Sequence, residues 1–134
     1  MVNPHTALIY TMVLVSAADG EMTDAELTTI GQIVQTLPAF TDYDRNQLTK
    51  AAADCAEILS DEQGFDTAIA IIAEALPENL RETAYALACD VVAADLVADQ
   101  AELRVLELLR HGLDIDRLSA AAIERGTRAR HARA

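Results

Sequence analysis

An apolar helix that stops at an acidic turn, and a second that does the same 76 positions later, constrain this chain more than any other feature. Residues 8–15 are apolar almost all round, the mark of a helix surrounded by others. The run closes on Ser16-Ala17-Ala18-Asp19-Gly20. Glu21-Met22-Thr23-Asp24-Ala25-Glu26 then opens the next helix with a capping box, in which the Thr23 hydroxyl and the Glu26 carboxylate each satisfy the other's backbone amide. Ala93-Ala94-Asp95-Leu96-Val97-Ala98-Asp99-Gln100-Ala101-Glu102 is a weaker copy. With Asp19 set on Asp95, Glu26 falls on Glu102, Leu27 on Leu103, Ile30 on Leu106 and Ile33 on Leu109. Two related halves follow, with the apolar helices at their centre.

The remaining segments read as helices too. Asn3-Pro4 is a helix start, because Asn caps free amides and Pro is tolerated at the first helical position. The first helix is expected over 4–18. The second carries Leu27, Ile30, Ile33, Val34 and Leu37 as one buried stripe, closed by Pro38. Thr41-Asp42-Tyr43-Asp44 starts a third, running through Leu48, Ala51, Cys55 and Leu59. Ser60-Asp61-Glu62-Gln63 has the capping-box form and opens a fourth, which presents Phe65, Ala68, Ile69, Ile72 and Leu76 inward and ends at Pro77. A fifth is expected over 78–94. The sixth, capped at Asp99, buries Leu103, Leu106, Leu109 and Leu113, and a seventh covers 116–124. No stretch alternates at period two. The reading is all-α: a single compact bundle of about seven helices in two pseudo-repeated halves, filling residues 1–124.

Charge and cysteine usage narrow the function. The net charge is −12, and all 22 acidic residues lie at or before Glu124. Residues 125–134 carry Arg125, Arg128, Arg130 and Arg133 and no acid, and are expected to form a basic, disordered tail. An acidic body repels phosphates, which argues against nucleic acid as a partner. Cys55 and Cys89 have no metal or redox spacing, and two buried thiols suit a reduced, cytoplasmic setting. Residues 3–6 lack the positive region of a secretory signal, and the run 7–18 is too short to span a bilayer. His5, His111 and His131 are scattered, no thiol has an activating partner, and no glycine-rich phosphate loop is present. The chain is therefore expected to be non-enzymatic.

Ala17-Ala18-Asp19-Gly20 followed by Glu26, and Ala93-Ala94-Asp95 followed by Glu102, resemble the TerB-like tellurite-resistance family. That domain also stands at the N-terminus of DjlA-type J-domain co-chaperones. The resemblance covers roughly residues 8–115, and the second copy departs at Leu96, where the family often has Gly. It implies an all-helical fold, a link to tellurite and other chemical stress, metal association, and membrane-proximal protein complexes.

Asp19, Glu21, Asp24 and Glu26 place four carboxylates around one turn, the donor type that hard cations take. The candidate site is Asp19 and Glu26 with Asp95 and Glu102 from the second copy, and Glu21 and Asp24 as secondary members. Calcium, magnesium, manganese and zinc are the cations considered. The competing reading makes the same acids plain helix caps, favoured electrostatically in a first turn. Asp90, set between Ala88-Cys89 and Val91-Val92, must either find a donor or sit at a helix edge. Two functions remain open: a module binding a divalent cation or a protein partner through its acidic turns, and a co-chaperone-like scaffold holding a partner in an apolar groove between helices.

Overall fold

A computed structural model describes residues 2–18, 20, 22–94 and 100–134. Among these the chain forms seven α-helices and no strand. They are α1 (Pro4–Ser16), α2 (Asp24–Thr36), α3 (Leu48–Leu59), α4 (Gly64–Ala75), α5 (Arg81–Ala94), α6 (Gln100–Gly112) and α7 (Arg117–Arg130).

α1 starts as its sequence dictates, the Asn3 side chain accepting from the Thr6 amide at 2.8 Å ahead of Pro4. Every residue from Ala7 to Ser16 is buried. The two hydroxyls in that run avoid stranding by donating back one turn, Thr11 to the Ala7 carbonyl at 2.8 Å and Ser16 to the Met12 carbonyl at 2.9 Å. α1 packs on α5, and these two helices form the centre of the bundle. α3 lies on α1 as α7 lies on α5, while α2 packs across on α5 and α6 on both α5 and α1. This exchange is the two-halves arrangement that the repeat implies. α4 follows α3 and covers α1 and α3. Arg81, at the start of α5, donates to the carbonyls of Ala73 and Leu113, both at 3.2 Å, and so ties the ends of α4 and α6 together.

The first helix ends at Ser16 and not at 18, and the fifth begins at Arg81 after a 3₁₀ turn at Glu78–Leu80 and not at 78. Three further boundaries differ from the sequence reading. The third helix begins at Leu48 and not at Thr41. Asp42 has a φ of 67°, a left-handed conformation that no helix continues through, so residues before α3 form short 3₁₀ turns at Pro38–Phe40 and Arg45–Gln47. Ser60 does not cap α4; its hydroxyl donates to the Glu57 carbonyl at 2.6 Å and finishes α3. Gly64 then starts α4 with its Cα so close to the α3 end that a Cβ would lie 2.5 Å from the Ile58 carbonyl oxygen. The last helix continues six residues past Glu124 to Arg130, because Thr127 is buried against the bundle and Arg130 finds an acid on α5.

Candidate functional site

The turn after α1 is built by the capping box at the head of α2. The Glu26 amide donates to the Thr23 hydroxyl at 3.1 Å, and Glu26 Oε1 accepts from the Thr23 amide at 2.8 Å. This reciprocal bond swings the Glu26 side chain back over the helix start and into the bundle, where it is 0 % exposed. Among the described residues, Oε2 of Glu26 is buried with no hydrogen-bond partner. Glu102 holds the equivalent place at the head of α6 and is 1 % exposed.

The buried stripe is consequently rotated from the expected one. Leu27 is 52 % exposed and Leu103 46 %, whereas the preceding glutamate in each copy faces in. Both leucines were expected inside because hydrophobicity alone ranks Leu far above Glu for burial. The repeat sets the same exchange at both places, so it is a property of the motif.

The other candidates divide. Asp24 is exposed at the head of α2. Asp19, Glu21 and Asp95 lie outside the described residues. Among the described residues, no three His, Cys, Asp or Glu side chains gather as a cation would require. Asp90 sits at the edge of α5 and accepts from Arg130 at 2.5 Å, which supplies its donor.

Neither thiol is a nucleophile at neutral pH. Burial pushes the Cys55 thiol up to about 12, and its proton points at the Tyr10 carbonyl 3.7 Å away. Burial, with the Glu124 carboxylate nearby, likewise pushes Cys89 up to about 12. The histidines stand on separate elements: His5 stacks on Phe40, His111 lies beside Arg110 at the end of α6, and His131 meets the Thr127 carbonyl.

A cleft of about 480 Å³ lies between α6 and α7 with α5 as its floor, at a place the sequence reading did not specify. Beside it Tyr85 donates to Glu124 at 2.6 Å, and burial together with this bond raises the Tyr85 pKa well above its usual value. The exposed Leu103 belongs to its wall.

The family model described as tellurite resistance protein TerB matches residues 5–125, nearly the whole bundle. No curated protein and no solved structure matches the chain.

Proposed function

This chain belongs to the TerB family, and on that premise we propose that it is a tellurite-resistance-related domain that works by binding and not by catalysis. Its working elements are the acid-bearing turns, and its ligand is a divalent cation or, through the same acids, a basic segment of a partner protein. The observation that carries the reading is the Glu26 carboxyl group, one oxygen spent on the capping box and the other buried without a donor among the described residues. A buried carboxyl oxygen left unmet is costly, and a cation would remove the cost directly.

The residue types fit a hard cation, since every proposed donor is a carboxylate oxygen. Glu26 and Glu102 would supply the inner ligands, with Asp19 and Asp95 completing the set and Glu21 and Asp24 adding charge outside it. When bound, the cation would neutralise the turns and fix their backbone, presenting a defined surface to a partner. Plain capping accounts for Oε1 of Glu26 but leaves Oε2 unexplained.

Calorimetric titration of calcium, magnesium, manganese and zinc into the purified chain tests this. Saturable binding of at least one cation is expected, lost in Glu26→Gln and weakened in Asp19→Ala. Gln preserves the capping box, so a folded Glu26→Gln chain that binds as the parent does would remove Glu26 from the site.

A further inference from the structure

The cleft between α6 and α7 adjoins the head of α6 at Leu103 and has a chemistry of its own. Its floor is Cys89 and Val92 of α5, and its α6 wall is Leu103 and Leu106. Those floor residues are at most 5 % exposed and Leu106 is 9 % exposed, so Leu103 contributes the wall's one half-exposed large apolar side chain. A protein partner of ordinary stability needs roughly 800 Å² on each side, far more than this strip offers. A volume of about 480 Å³ instead falls within the range of small-molecule sites, roughly 300–1,000 Å³.

The charged groups on the rim decide the kind of molecule. Glu107 faces Arg104 at 3.6 Å, Glu124 accepts from Tyr85, and Arg110 reaches the Ile115 carbonyl at 3.5 Å. Among the described residues lining the cleft, Arg128 is the charged group with no hydrogen-bond or ion-pair partner. A guanidinium fork at the mouth of an apolar trough matches a carboxylate in two parallel bonds. Glu107 and Glu124 on the same rim disfavour a dianionic phosphate. A net charge of −12 also holds the chain off an anionic bilayer, which favours a free molecule over a membrane lipid.

We propose that this cleft binds a free amphiphile with an apolar chain and a single carboxylate, the chain lying along Cys89, Val92, Leu103 and Leu106 and the carboxylate on Arg128. The probe is sodium decanoate below its micelle concentration, titrated into isotopically labelled protein and followed by amide chemical shifts. Decanol and decyltrimethylammonium serve as neutral and cationic controls. Decanoate should give saturable shifts confined to the cleft. Arg128→Gln should weaken it about tenfold, the worth of one charge-assisted contact, and leave decanol unchanged. Leu103→Ala should weaken both. Shifts that never saturate, decyltrimethylammonium bound as tightly as decanoate, or an unaltered affinity in Arg128→Gln would each overturn the proposal. So would sedimentation with anionic vesicles in the absence of decanoate binding. Arg128 is exposed, so its variant keeps the fold and decides the outcome even if Leu103→Ala unfolds.

Discussion

Glu26 and Leu27 are neighbours whose places are exchanged relative to ordinary polarity. The carboxylate is inside because its capping bond to the Thr23 amide fixes its direction, and the leucine is then turned outward by one helical step. Cys55 and Cys89 are, with Tyr85, the residues whose protonation the fold alters most. Both thiol pKa values are raised, from 9.0 to about 12, so the folded chain keeps two protons that the unfolded chain releases. Their contribution is therefore complete below about pH 9 and is lost as pH climbs towards 12. Stability should fall over that window, and the fall should be shallower in Cys55→Ala and Cys89→Ala relative to each variant's own value at pH 7. Iodoacetamide at pH 8 should leave both thiols unmodified in the native chain and react with both in urea. Rapid native labelling would contradict the burial assigned here.

Among the elements, α2 and α6 carry the rotated stripe, and denaturation can read it. Ile30 is 2 % exposed and Leu27 52 %. Ile30→Ala should cost about 2–4 kcal/mol, and Leu27→Ala no more than about 1 kcal/mol. Equal costs would restore the conventional stripe. The capping box itself was legible, because Thr23 and Glu26 have the spacing of a helix start and follow a glycine that ends the helix before them. The burial it forces on Glu26 was not, since a pattern of apolar residues has no means of scoring a carboxylate as internal. α1 was legible for the opposite reason: a helix apolar on every side has one place to go. The late end of α7 was hidden because Thr127 and Arg130 extend no apolar stripe. What holds them is tertiary, a buried threonine and an acid on another helix. Ser60 misled by having the letters of a cap while its hydroxyl turns back onto α3.

For the whole molecule, the central α1–α5 pair explains why a repeat detectable in so few residues organises the entire chain. α2 packs on the other half's central helix and α6 on both central helices, so neither half buries its apolar helix alone. The cleft beside α7 could not be read from sequence, since it exists only where three helices from separate stretches fail to fill the space between them. α7 closes one side of that assembly. Removing residues 125–134 should lower the unfolding midpoint by several degrees, because Thr127 and the Arg130–Asp90 pair go with them. An unchanged midpoint would mean that the bundle is complete at Glu124. Among the described residues no helix is long and apolar enough to cross a membrane.

The measurement that tests the cation reading most directly is thermal unfolding in EDTA, followed by calcium, magnesium, manganese and zinc added singly, for the parent chain and Glu26→Gln. Binding to the folded state alone raises the midpoint by mass action, on the order of 10 °C at a hundredfold excess over Kd. The account predicts a saturable rise with at least one cation in the parent and none in Glu26→Gln. It also predicts that in EDTA the variant unfolds no lower than the parent, because Gln keeps the capping bond and removes the carboxyl oxygen left unmet. No rise with any cation, or a rise that survives in Glu26→Gln, would contradict it and leave the acidic turns as helix caps.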